Sequence, residues 1–269
     1  MGGAALIQSA SPASGRPRVD LLGVLFDSIS REGTLPYVDQ AVQRGQPIWL
    51  TFVNVAVLVY MREQPAGKLA VDAADFRLAD GMGVVYAAAL VGRPLPEMVG
   101  GPLLLARLLE HAESMGYSVF LLGSTQEVIE RATAAAARRH PRLKIAGYRS
   151  GFFKDDEEAA VVRQVRDSGA TILVVGTGFP REKVFMHRHK LEFGASVLVD
   201  VGGAFTILAG IHKLAPIWIR RLGLEWIYRC AQEPRRLTGR YLRTNTIFGQ
   251  LLIRELVLTW LSRRAEARP

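Results

Sequence analysis

Seven short apolar runs constrain this chain more than any other feature: residues 19–26, 48–53, 76–79, 117–122, 143–148, 171–175 and 196–199. Several end in Gly, Asn or Asp, and most are followed by a segment with helical character. Strands of this length, apolar throughout rather than alternating, predict burial on both faces. Alternation with helices then predicts a mostly parallel sheet covered on both sides. The helical segments span residues 30–44 (interrupted near Pro36), 55–62, 84–90, 102–115, 126–140, 155–168 and 180–192. Pro102 stands at a first-turn position, where its missing N–H costs little.

At 269 residues the chain can bury one sizeable core, so a single domain with an appendage is expected. Residues 1–18 are small and polar without a secretory pattern and read as a disordered tail. The longest apolar candidate, residues 247–261, is broken by Gln250, Arg254 and Glu255 and falls short of the ~20 residues a membrane span needs. The single cysteine, Cys230, rules out an internal disulfide framework, fits a reducing compartment and reads as a small buried apolar residue. Charge is uneven: residues 213–269 carry 12 Lys/Arg against 4 Asp/Glu, so most of the net charge of +9 lies in the last fifth. That fifth alone calls for an anionic partner.

Ala79-Asp80-Gly81 closes the third run. A carboxylate at a strand end, followed by glycine and a helix, lies where α/β sheets bind ligands, and it can serve as a general base. Asp is also a common N-cap, the plainer role for the same residue. Three further strand ends are glycine-rich, at Gly123, at Gly176 to Gly178 and at Gly202–Gly203. Glycine lets backbone approach a phosphate, and a helix N-terminus favours the anion. Strict dinucleotide and P-loop signatures are absent, so each turn alone also fits an ordinary strand-to-helix connection. The acids at 155–158 read as solvated first-turn residues. His187 and His189 are two apart on a helix and cannot share a metal. No metal site is expected.

Over roughly residues 20–240 the chain resembles the WecG/TagA/CpsF glycosyltransferases of bacterial envelope polysaccharide synthesis. The landmarks, in order, are Leu22-Gly23-Val24 with Asp27, Asn54, Ala79-Asp80-Gly81, Leu95-Pro96-Glu97, Val99-Gly100, Phe120 to Gly123, and His140-Pro141 with Gly147. They continue through Gly151-Phe152-Phe153, Gly178 with Pro180, Val201-Gly202-Gly203 with Phe205, Ala209-Gly210 and Ala215-Pro216. Gly223-Leu224-Glu225-Trp226-Ile227-Tyr228-Arg229 and Glu233-Pro234-Arg235 close the series and are the most specific.

The resemblance implies a Rossmann-like α/β domain over residues 19–212 and a basic amphipathic helical appendage over 213–269. It implies inverting transfer of a hexose or N-acetylhexosamine from a UDP-sugar to a polyprenyl-diphosphate-linked sugar. Asp80 matches the family's proposed base. Asn54, Thr51, Gly81, Gly123, Gly178, Glu182, Gly202, Gly203 and Thr206 are expected to hold donor or acceptor, and Arg229 and Arg235 the diphosphate. No cofactor and no metal are implied. The implied location is the inner face of the cytoplasmic membrane, with the appendage touching the membrane and helping to close the site.

The chain departs from the family pattern at several places. Phe52 stands where a Thr two residues before the Asn is usual, and Pro102 where Asp is common. Pro180-Arg181-Glu182-Lys183 replaces Pro-Lys-Gln-Glu, Thr206 replaces Asp, and Leu214 replaces the Arg before Ala-Pro. With Asp80 and Asn54 kept, these changes point to an altered donor or acceptor, so a mannosamine donor is not assumed and a gluco-configured one fits equally. The alternative is a non-catalytic relative that binds a sugar nucleotide as a partner in polysaccharide assembly.

Seven arginines from Arg220 to Arg243 are interleaved with Trp218, Trp226, Tyr228 and Tyr241, as in a helix lying among lipid headgroups. The same residues fit a solvated amphipathic helix. Nucleic acid is not expected as a partner, because no nucleic-acid-binding motif accompanies them. Phe248, Leu251, Leu252, Leu256, Leu258 and Trp260 form an apolar tail, an anchor or a contact between copies of the chain.

Overall fold

The protein is described by a computed structural model over residues 15–266. It opens with a hairpin in place of the single strand expected over residues 19–26. Strand β1 (Arg18–Leu21) pairs antiparallel with β2 (Val24–Asp27). Leu22 and Gly23 make the turn with φ of 56° and 78°, the left-handed pair that a two-residue hairpin turn requires. Leu22 is buried, so the turn carries the apolar character of a strand. Of the expected tail, residues 1–14 lie outside the described residues. Arg16 lays its guanidinium 3.5 Å over the Phe76 ring, and Arg18 begins β1.

Helix α1 (Arg31–Arg44) is capped by the Ser30 side chain, which accepts from Gly33 N–H. The helix continues through Pro36, correcting the expected interruption. One helical hydrogen bond is forgone there, and buried Leu35, Val38 and Ala41 hold the helix on the core. Then come β3 (Ile48–Val53), α2 (Val55–Glu63), α3 (Pro65–Asp72), β4 (Phe76–Ala79), α4 (Met82–Leu90) and α5 (Gly101–Met115). Next are β5 (Ser118–Gly123), α6 (Gln126–Arg139), β6 (Lys144–Arg149), α7 (Glu158–Asp167), β7 (Ile172–Gly176), α8 (Arg181–His189) and β8 (Val197–Asp200). Helices α9 (Ala204–Leu208), α10 (Ile217–Arg221), α11 (Glu225–Gln232) and α12 (Pro234–Glu266) complete the described chain.

Six strands form one parallel sheet in the order β4-β3-β8-β7-β5-β6. Alternate residues of β3 serve opposite layers. Ile48, Leu50 and Phe52 pack with Leu105, Leu108 and Leu109 of α5, while Trp49 packs with Phe185 and Met186 of α8. All six residues of β3 are buried, which is why its sequence shows no polar alternation.

Two features position the site. The β3–β4 ladder runs to the strand ends, pairing Val53 with Ala79. The β3–β8 ladder stops at Leu50 with Val199. Strands that part at their carboxyl ends leave a crevice there.

The long helix α12 is part of the packed body. Phe248 is buried in the apolar cluster of α2 and α4, joined by Ile247, Leu251 and Leu252. No helix among the described residues is long and apolar enough to cross a membrane.

Candidate active site

Asp80 follows β4 directly, and its N–H donates to Val53 O at the end of β3 (3.1 Å). The cap position of α4 is Gly81, with φ 88° and no side-chain cap. The Asp80 carboxylate is therefore free of the plain capping role. Its Oδ2 accepts from Asn54 Nδ2 at 3.2 Å. Asn54 is itself the cap of α2, with Oδ1 accepting from Val57 N–H at 3.0 Å. A Cβ on Gly100 would lie 3.7 Å from Asp80 Oδ1, so the bare glycine leaves this side of the carboxylate open.

Asp80, Met98, Gly100, Leu103, Arg220 and Glu225 line a small cleft. Pro102 and Leu214, two of the departures named above, line it as well. One wall comes from the C-terminal segment. The Tyr86 hydroxyl of α4 donates to Arg221 O, and Glu225 pairs with Arg229 at 3.4 Å on one face of α11. Burial pushes the Glu225 carboxyl up, with Asp80 adding to it and Arg229 and Arg220 opposing. Burial works against the charge on Arg229, but Tyr241, Glu225 and Asp80 more than offset it, and the guanidinium is held more firmly charged than usual. The cleft thus sets a carboxylate against an arginine carried by a separate part of the chain.

The glycine turns form a second assembly. A Cβ on Gly123 would meet Gly176 O at 2.4 Å, one on Gly151 would meet Gly123 Cα at 2.8 Å, and one on Gly176 would meet Gly202 O at 2.7 Å. These turns are stacked backbone on backbone, and glycine there is a packing requirement. Gly178 and Gly203 differ, since nothing lies within 4 Å of a Cβ built on either. Thr206 secures the last turn, its hydroxyl donating to Gly203 O at 2.8 Å. A Cβ on Gly101, at the start of α5, would lie 3.3 Å from Val201 O, which joins this assembly to the helix bordering the Asp80 cleft.

The residues named from sequence thus fall into different places. Asn54, Asp80 and Gly81 meet at one corner. Gly178, Gly202, Gly203 and Thr206 belong to the turns, and Arg229 approaches from α11. Thr51, within β3, is fully buried, and its hydroxyl accepts from Lys183 Nζ at 2.7 Å. Glu182 is buried with Oε2 accepting from Gly178 N–H at 2.9 Å. Burial drives its carboxyl up to about 7, with Lys183 opposing and Asp200 assisting. Arg235 is exposed at the start of α12 and is not part of the cleft lining.

Four residues escaped the sequence reading as site components: Arg220, Glu225, the buried Lys183 and Asp200. For Asp200 the signal was present, since it ends an apolar strand as Asp80 nearly does.

A parallel α/β sheet with a carboxylate cleft at its strand ends and a bank of glycine turns defines the class: a Rossmann-like α/β protein, a fold whose ligands bind in the crevice at the strand ends. Comparison with known proteins makes this specific. The glycosyl transferase WecG/TagA/CpsF family model matches residues 19–262, and the chain belongs to that family. It is 31% identical over 226 residues to a Staphylococcus aureus (strain MW2) protein, covering 83% of this chain and 88% of the relative. A Bacillus spizizenii relative is 34% identical over 200 residues, 74% of this chain and 76% of its own length. Both carry the name N-acetylglucosaminyldiphosphoundecaprenol N-acetyl-beta-D-mannosaminyltransferase.

Proposed function

We propose that the protein is an inverting glycosyltransferase that moves a sugar from a UDP-sugar onto a polyprenyl-diphosphate-linked sugar, with Asp80 as general base. The observation that carries this reading is the Asn54–Asp80 contact. The carboxylate is aimed by a side-chain donor, released from capping duty, and borders a cleft in a chain of the WecG/TagA/CpsF family.

In the proposed step the acceptor hydroxyl gives its proton to an Asp80 carboxylate oxygen as the hydroxyl oxygen attacks the anomeric carbon. The bond to the UDP oxygen breaks on the opposite face, and the electron pair leaves with the diphosphate. Arg229 and Arg220, with backbone N–H groups of the Gly178 and Gly202–Gly203 turns, are assigned the growing negative charge. The step gives a metal ion or cofactor no role. Thr51 and Glu182 are assigned support beneath the donor turns, in keeping with their burial.

The donor sugar is left open between mannosamine and gluco-configured types. Pro102 and Leu214, apolar where the family pattern carries charge, both line the cleft and support a substrate that differs from that of the named relatives. Peripheral membrane attachment is assigned to α10 and α11. There Ile217, Trp218, Leu222 and Ile227 are exposed beside Arg220 and Arg221, a combination suited to an anionic headgroup layer.

The test is turnover of a panel of UDP-sugars with a polyprenyl-diphosphate-linked sugar in detergent. Product from one donor, lost in Asp80→Asn while UDP still binds, is the expected result. UDP-sugar binding without turnover of any donor would favour the non-catalytic alternative.

A further inference from the structure

The buried charges beneath β3 are not used by the step above. Lys183 and Asp200 are each 1% exposed, and their side chains meet at 2.5 Å. Lys183 Nζ also donates to Thr51 Oγ1 at 2.7 Å and to Phe52 O at 3.1 Å, which occupies all three ammonium hydrogens. Asp200 accepts from Trp49 Nε1 through Oδ2 at 2.9 Å and from Phe52 N–H through Oδ1 at 3.4 Å.

These bonds fall where the β3–β8 ladder ends, one rung beyond Leu50 and Val199. Phe52 is the residue whose N–H and C=O the next rung would have paired. It is buried, so both groups need partners from within the protein. Asp200 and Lys183 supply them. Two residues further along the same backbone stands Asn54, which holds Asp80. In the other direction, Lys183 adjoins Glu182, whose carboxylate receives Gly178 N–H, and Asp200 leads directly into Val201 and Gly202.

We infer that Lys183 and Asp200 are positioning residues: their ion pair replaces the missing rung between β3 and β8 and fixes Asn54 and Asp80 relative to the glycine turns. The inference rests on the transferase reading for its catalytic consequence but not for its structural one. A buried charge left without its partner is costly, whereas a pair removed together is tolerated. The pair is therefore retained for the geometry of the strand ends rather than for net stability.

The experiment compares wild type, Lys183→Met, Asp200→Asn and the double variant, in which neither charge is left alone. Hydrogen exchange is followed at the amides of residues 52–58 and, as internal reference, at β7. In the double variant, faster exchange at 52–58 by about 10-fold or more with β7 unchanged is expected if the rung is local. Steady-state kinetics on the UDP-sugar that wild type uses should show kcat lowered about 10- to 100-fold, since small misplacements of reacting groups cost that much. Donor KM should change less than about 3-fold, because the donor turns keep their own backbone stacking.

Exchange at 52–58 equal to wild type, or raised equally in β7, overturns the inference, as does an unchanged kcat. Should Lys183→Met alone fail to fold, the double variant decides. Should wild type turn over no UDP-sugar, the transferase reading fails and the exchange comparison alone judges the clamp.

Discussion

The side-chain amide of Asn54 is committed at both ends, accepting Val57 N–H at 3.0 Å and donating to Asp80 Oδ2 at 3.2 Å. The cap fixes which end is oxygen, so the NH2 group must face the carboxylate. One residue therefore starts α2 and orients Asp80.

Asn54→Asp separates the two roles. Asp caps as well as Asn does, so the start of α2 should be kept, whereas Asn54→Ala should lose the cap and about 1 kcal/mol in urea unfolding. In the Asp variant two carboxylates face each other, and one is forced to hold a proton to higher pH. The kcat should then fall about 10-fold or more, because the amide donor that orients Asp80 has been replaced by a repelling oxygen. An unchanged kcat would show that Asn54 does not orient Asp80 for the reaction.

Asp80→Asn should lower kcat by about 10²-fold or more, the usual contribution of a positioned base. UDP affinity, measured by calorimetry, should stay within about 3-fold, because uniform binding does not depend on the base.

Glu182 links stability to pH. Its carboxyl is raised from 4.5 to about 7 in the folded protein, first by burial. Between those values the folded state holds more protons than the unfolded state. The stability this group contributes is thus complete below about 4.5 and lost as pH rises through about 7. Urea midpoints of wild type should fall from pH 5 to pH 8 with a slope of up to about 1.4 kcal/mol per pH unit from this group. Glu182→Gln should flatten that slope.

Glycines in the turns should divide by the room around them. Gly123→Ala places a methyl 2.4 Å from Gly176 O at φ 153° and should cost about 3 kcal/mol or more in thermal unfolding. Gly203→Ala meets nothing within 4 Å. It should keep the melting temperature within a few degrees (about 1 kcal/mol) and report on ligand contact through UDP affinity alone.

Trp218→Ser combined with Ile227→Ser should leave folding intact, since both side chains are exposed. Co-sedimentation with anionic vesicles should fall several-fold. Equal sedimentation would remove α10 and α11 from the membrane contact. Deleting everything after residue 212 is a poorer test, because Phe248 and its neighbours cover the apolar face of α2.

Much of this fold was legible because burial on both faces of a parallel strand removes polar alternation. Residues 48–53 and 76–79 could be marked to the residue for that reason. The hairpin at Leu22–Gly23 was not, since a buried leucine in a left-handed turn looks like strand. Pro36 misled in the other direction, because tertiary packing outweighed a local helix breaker. Asp80 was visible as a candidate, but its choice between cap and cleft rested on Gly81 taking the cap position.

By itself the sequence determined the alternation of strands and helices from residue 48 to residue 200 in outline (α3 excepted), the parallel sheet and the strand ends that carry Asn54, Asp80 and the glycines, because these follow from local periodicity and turn chemistry. Tertiary structure decided the rest: that Arg220 and Glu225 of the C-terminal segment wall the Asp80 cleft, that Thr51 turns inward, and that Lys183 and Asp200 pair beside Phe52. Those contacts join residues far apart in sequence, and only packing sets which side chains share a buried space and so which charges must pair.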